Sequence, residues 1–198
     1  MNLVGLDIGE STGFCGLELD SANNVSSAFF REVKVSTLSE YFSYDTAKGI
    51  EGAIEGYNTD FVIIEGYAFG GKGFFNYLQA EITGQVKRFL ADSGIPFYEA
   101  PISSMRKAVL GNGRATKADA KRFAKEFCKG RGLEFPKDSI HISDAVIPAV
   151  LGFMFVRGEH DKEFQSRIAG SVVGGSNECS IRRICEKCRS IDFEILSK

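Results

Sequence analysis

Two short runs without a polar side chain, Leu3-Val4-Gly5-Leu6 and Phe61-Val62-Ile63-Ile64, each deliver a lone acid at their far end, Asp7 and Glu65. Short continuous apolar runs bounded by turn signals read as strands buried on both faces, which calls for a sheet covered by helices on either side. A third acid stands in His141-Ile142-Ser143-Asp144-Ala145, at the mouth of another apolar segment. A buried run tolerates no charge within it, and an ionised carboxylate costs several kcal/mol to desolvate unless it is paired or metal-bound. Taken singly, each acid reads equally well as a strand end or a helix cap. Taken together, three acids on rigid element ends suggest carboxylates gathered around divalent cations.

The rest of the chain fits an α/β plan. Residues 2–8 form a strand, Ser11-Thr12-Gly13 turns, and Phe14 to Leu19 returns as the second arm of a hairpin. Ala28 to Val35 is a third strand, Leu38 to Tyr57 has helical spacing, and Asp60 to Glu65 is again a strand. A long helix is expected from Phe74 to Ser93, with Leu78, Ile82, Val86 and Phe89 about one turn apart, stopped by Gly94-Ile95-Pro96. Phe97 to Ala100 is a short strand. Ser103 or Ser104 can cap a short helix ending at Gly111, and Thr116 can cap the next, Lys117 to Lys129. Ser143 or Asp144 would open the last helix, which runs to Phe155. Three antiparallel strands followed by strands alternating with helices make a sheet with helices on both faces.

With 198 residues and 43% hydrophobic content, one core and an appendage are expected: a domain over 1–157 and an extension over 158–198. The extension holds a Gly/Ser-rich linker (Gly170 to Ser176) and a basic tail with Cys179, Cys185 and Cys188, an incomplete zinc set. Five cysteines is an odd count, which reads as free thiols of a reducing compartment. The N-terminus lacks a signal-peptide pattern, and no apolar run reaches the ~20 residues of a membrane span. The expectation is a soluble cytoplasmic protein with no membrane partner, in the host cytoplasm if the source is viral. A net charge of −2 predicts no partner by itself, but Arg106 to Arg131 is rich in Lys and Arg, and phosphate contacts need only a local basic face.

That basic segment is also the most specific motif. Arg106-Lys107-Ala108-Val109-Leu110-Gly111-Asn112-Gly113-Arg114-Ala115-Thr116-Lys117 resembles the K-x-x-V-x-G-x-G-x-A-x-K block of RuvC-type Holliday-junction resolvases, with Arg106 in place of the first Lys. Asp7-Ile8-Gly9 with Thr12-Gly13, Ile64-Glu65, and His141-x-x-Asp144-Ala145 match the same family in the same order, over residues 2 to 156. The resemblance implies an RNase H-like mixed five-stranded sheet and a catalytic, metal-holding set of Asp7, Glu65, His141 and Asp144. Many relatives carry Asp at the position of His141. It further implies a homodimer that nicks a four-way DNA junction symmetrically with two Mg²⁺ or Mn²⁺ ions per site.

Two cations about 3.5–4 Å apart can activate a water and neutralise the leaving oxygen in phosphodiester hydrolysis. In that scheme Asp7 bridges, Glu65 and Asp144 flank, and His141 ligates a metal or activates water. Arg106, Lys107, Arg114, Lys117 and Lys121 supply phosphate contacts, with Gly111 and Gly113 permitting close backbone approach. Relatives place a stacking aromatic after the second acid, so Phe69, with Tyr67 and Lys72 nearby, is the candidate wedge at the junction centre. The helix from Phe74 to Ser93 is the expected dimer element, because Phe75, Leu78, Ile82 and Phe89 are more apolar surface than one face needs. Three rivals stand beside this reading, of which a catalytically dead DNA-binding relative is disfavoured by the retention of Asp7, Glu65 and Asp144. A second is a less selective branched-DNA or flap endonuclease. The third is an actin-like or sugar-kinase-type ATP-binding domain, suggested by Asp-x-Gly-x-Ser-Thr-Gly and disfavoured by a chain with one domain and one such loop.

Overall fold

The computed structural model describes residues 1–36, 39–66, 74–136 and 140–158. Ten elements follow in the order β1 (Asn2–Asp7), β2 (Ser11–Leu19), β3 (Val25–Lys34), α1 (Phe42–Gly56), β4 (Phe61–Gly66), α2 (Phe74–Asp92), β5 (Phe97–Pro101), α3 (Ile102–Leu110), α4 (Lys117–Lys129) and α5 (Ile140–Arg157). The five strands form one mixed sheet, ordered β3-β2-β1-β4-β5. The β1–β2 and β2–β3 pairs are antiparallel, while β1–β4 and β4–β5 are parallel. This is the expected architecture, an RNase H-like sheet with helices on both faces.

Alternation along the strands divides the core. Leu3, Cys15, Leu17, Phe61 and Ile63 point to the face covered by α3, α4 and α5. Val4, Leu6, Phe14, Val62 and Ile64 point to the other, where Ile50 and Ile54 of α1 and Ile82, Val86 and Leu90 of α2 close the core. Full burial of one such side chain contributes about 1.5–3 kcal/mol. β1 and β4, at the centre, are apolar on both faces for that reason. α5 is long and apolar enough to cross a membrane, yet nearly every residue from Ile142 to Val156 is buried inside the domain, so it is a core helix and not a span.

Several element boundaries differ from the sequence expectation: Ser11-Thr12-Gly13 belong to β2 and are not a turn before it, and α1 begins at Phe42 and not at Leu38. Helix α5 is already helical at Ile140, so Ser143 and Asp144 are buried residues of its first turns and not its cap. Helix α3 starts at Ile102 behind Pro101, whose fixed φ suits an N-terminus, without a serine cap bond. β3 begins at Val25, three residues early, as the return arm of the β2–β3 hairpin. The Thr116 expectation holds in full: its hydroxyl accepts from the Asp119 N–H and the Asp119 carboxylate accepts from the Thr116 N–H, a capping box that opens α4.

Candidate active site

Asp7 ends β1 and Glu65 lies near the end of β4, the two central parallel strands. Each stands two residues beyond the Gly5–Ile63 pair, so both share that pair's face of the sheet. This is the face of α5. The C-terminal ends of parallel strands thus carry both acids to one rim, under the start of the helix that carries the third.

Two glycines let α5 lie directly on the sheet. A Cβ at Gly5 would fall 2.3 Å from the Ala149 nitrogen, and one at Gly13 would fall 2.0 Å from the His141 carbonyl oxygen. No other residue permits this approach at either place. Gly13 pairs with Asp7 across the hairpin, so the first turn of α5 sits beside Asp7. His141 Nδ1 stands 3.9 Å from Asp7 Oδ2. Asp144, one turn further on, is only 2% exposed. On the flanking strand Glu32 pairs with Gly13 and accepts a hydrogen bond from the Ser11 hydroxyl, with Lys34 Nζ at 3.6 Å.

The acids repel one another through a dry medium. Burial first, then the charges of Asp7 and Asp144, raise the Glu65 carboxyl to about 8, against the opposing pull of Arg106 and Lys117. Among the described residues its Oε2 is buried without a hydrogen-bond partner. Burial and the Asp7 charge also raise Asp144 above the ordinary carboxylate range. The nearby Asp7 carboxylate holds His141 above its usual value, helped by the charge of Glu32. A buried carboxylate oxygen with no donor, beside two more carboxylates, is a donor set that suits a hard divalent cation. Among the described residues no three such groups are drawn in as a ready ligand set. Asp144 is engaged instead by basic neighbours.

Those neighbours come from the basic segment. Arg106 Nη2 and Lys117 Nζ each lie 3.3 Å from a different Asp144 oxygen. Arg106 Nη1 donates to the Ala115 carbonyl at 2.8 Å, so this guanidinium ties α3, the loop before α4 and α5 together. Arg106 is turned inward, with 16% of its side chain exposed, while 63% of the Lys117 side chain is open to solvent. Lys107 and Arg114 are exposed and Lys121 is half-buried. Gly111 takes φ +74° to end α3, and a Cβ on Gly113 would meet the Ser103 carbonyl at 2.8 Å. The loop is therefore compact, with Arg106 and Lys117 on Asp144 and Lys107 and Arg114 open to solvent. Tyr67, Phe69 and Lys72 lie outside the described residues, as do Cys179, Cys185 and Cys188.

No family model matches the chain. The crossover junction endodeoxyribonuclease RuvC of Sulfurovum sp. is 28% identical over 153 residues, covering 76% of this chain and 93% of that protein. Thermus thermophilus RuvC, solved in complex with a Holliday junction substrate, superposes with a TM-score of 0.66 at 19% identity, over 80% of this chain and 96% of that one. Over most of its length the chain is similar to the RuvC-type Holliday junction resolvases. Fowlpox virus resolvase, solved with its substrate Holliday junction DNA, shares the fold at a TM-score of 0.53 and 14% identity, over 79% of this chain and 99% of that one. Sequence reasoning missed Glu32 and Ser11. Only the register of the β2–β3 hairpin, which sets Glu32 opposite Gly13, would have found them.

Proposed function

We propose that this chain is a Mg²⁺- or Mn²⁺-dependent endonuclease that resolves four-way DNA junctions by paired, symmetric nicks. The single observation that carries this is the convergence of Asp7, Glu65 and Asp144 beneath the first turns of α5, with an unpartnered Glu65 oxygen among them. Asp7 and Glu65 on rigid strands and Asp144 on the core helix would hold two cations, with His141 beside Asp7 as a further ligand. Divalent cations held there supply Lewis acidity, making a bound water a nucleophile near neutral pH and easing departure of the 3′-oxygen.

The chain's own groups supply the rest. The alternative role for His141, beside Asp7, is to accept a proton from the attacking water at an imidazole nitrogen instead of ligating a cation. Lys107, Arg114 and Lys117 set the phosphate backbone against the rim, and such contacts position a duplex without reading bases. Arg106 and Lys117 keep the buried Asp144 ionised by lowering the cost of its charge. Tyr67, Phe69 and Lys72 follow Glu65 in the sequence, and Phe69 is the proposed wedge at the junction centre.

A two-fold protein suits a two-fold substrate, and an isologous dimer would present its two sites to opposed strands. Helix α2 gives Ile82, Val86 and Leu90 to its own core and leaves Tyr77 71% exposed, so a dimer contact there would use the remaining face. The 158–198 extension, with Cys179, Cys185 and Cys188, is a separate appendage in this reading. A labelled four-way junction incubated with protein and Mg²⁺ tests the proposal. Paired nicks at symmetric positions support it, and cutting of flaps in preference to four-way junctions would move the assignment to a less selective branched-DNA nuclease.

A further inference from the structure

We infer that Glu32, on the flanking strand β3, is a positioning residue that holds the His141 imidazole for its part in the reaction. The inference rests on the nuclease reading above and deepens it. Asp7, Gly13 and Glu32 form one row across β1, β2 and β3, because Gly13 pairs with both. Residues directly opposite one another across strands point to the same face. The row therefore places two carboxylates on the α5 face with an empty position between them.

That empty position is where the first turn of α5 lands. The His141 carbonyl is so close to Gly13 that a Cβ would overlap it, which sets the residue over the gap, with an acid on either side. On one side Nδ1 approaches Asp7 only to 3.9 Å, longer than a hydrogen bond. On the other, Glu32 is itself fixed, with the nearly buried Ser11 hydroxyl donating to Oε1 and Lys34 flanking it. The register sets Glu32 directly opposite Gly13, on the side of the gap away from Asp7. Asp7 is committed to binding cations in the working enzyme. Glu32 is then the anion left to orient the ring, in the way carboxylates behind ligating or catalytic histidines commonly do. Ser11 and Lys34 keep that carboxylate in place and ionised.

The test uses Glu32→Gln, which retains an acceptor for Ser11 and the side-chain shape, in the full chain. Junction binding should match wild type, and single-turnover cleavage should fall about 10–100-fold, as for outer partners of site histidines. The same substitution made in His141→Ala should cause no further loss. A separate readout needs neither metal nor DNA: the chain has only two histidines, His141 and His160, so imidazole ¹⁵N–¹H spectra of His160→Gln report His141 alone. Adding Glu32→Gln should move those ring signals. Unmoved signals would overturn the inference, as would an equal loss of cleavage in the wild-type and His141→Ala backgrounds. If the wild-type chain cut no branched DNA the nuclease reading would fail, while the spectra would still decide whether Glu32 holds the ring.

Discussion

Replacing Glu65 by Gln should abolish cleavage and, without metal, make the protein more stable. The native carboxyl is raised to about 8 from an ordinary 4.5, by burial and by its two acidic neighbours. Between those values the folded protein binds more protons than the unfolded chain, so stability must fall as pH rises through this window. At pH 7 the group stands 2.5 units above its ordinary value, and at ~1.4 kcal/mol per unit the loss is roughly 3 kcal/mol. Glutamine has the same shape and never ionises, so it escapes this cost. The gain should be near zero at pH 4, grow through neutrality and level off above pH 8. For a domain of this size it amounts to roughly 5–10 °C in melting temperature at pH 7. Thermal melts in EDTA from pH 4 to 9 measure it directly. Saturating Mg²⁺ should then stabilise wild type at pH 8 far more than the variant, since the cation binds the native carboxylates. A variant that melts lower than wild type at pH 8, or by a pH-independent margin, would refute the placing of Glu65 among repelling acids.

Gly13→Ala should displace the first turn of α5, because its methyl would meet the His141 carbonyl; a loss of ~1–3 kcal/mol and a larger loss of cleavage than of junction binding are expected, measured by melts and gel assays. The two kinds of cation in the basic segment should separate. Lys107→Ala or Arg114→Ala should weaken junction binding for all sequences and reduce the salt slope by about one each. Arg106→Ala should instead cost ~3–5 kcal/mol of stability by leaving Asp144 buried without its inner partner, which denaturant titration reads.

Much of this was legible in the chain because the physics is local. β1 and β4 announce themselves as unbroken apolar runs, since both faces are covered, and their terminal acids follow from the same burial. Thr116 with Asp119 three residues on is a capping pattern that tertiary contacts leave alone. The start of α5 was hidden for the opposite reason. Ser143 and Asp144 look like caps, but the helix has already begun and both are buried against the rim of the sheet. The surplus apolar surface expected on α2 was also overstated, because Ile82 serves the core together with Val86 and Leu90. Glu32 could not be found from its neighbours in sequence: a register across two strands sets its place, and one residue of slip would turn it to the other face. Nor does local sequence reveal that Arg106 and Lys117 turn to Asp144, since that pairing joins three separate helices or their flanks.

The most direct measurement is cleavage of a strand-labelled four-way junction by the full chain in Mg²⁺, beside Asp7→Asn and an EDTA control, with binding followed on the same samples. Paired nicks at symmetric positions are expected from wild type alone. Asp7→Asn should bind the junction with near wild-type affinity and leave it intact, because it loses a cation ligand while the basic segment still meets the phosphates. Wild-type cutting by Asp7→Asn, or undiminished cutting in EDTA, would contradict the assignment of this carboxylate cluster as the site of metal-dependent junction resolution.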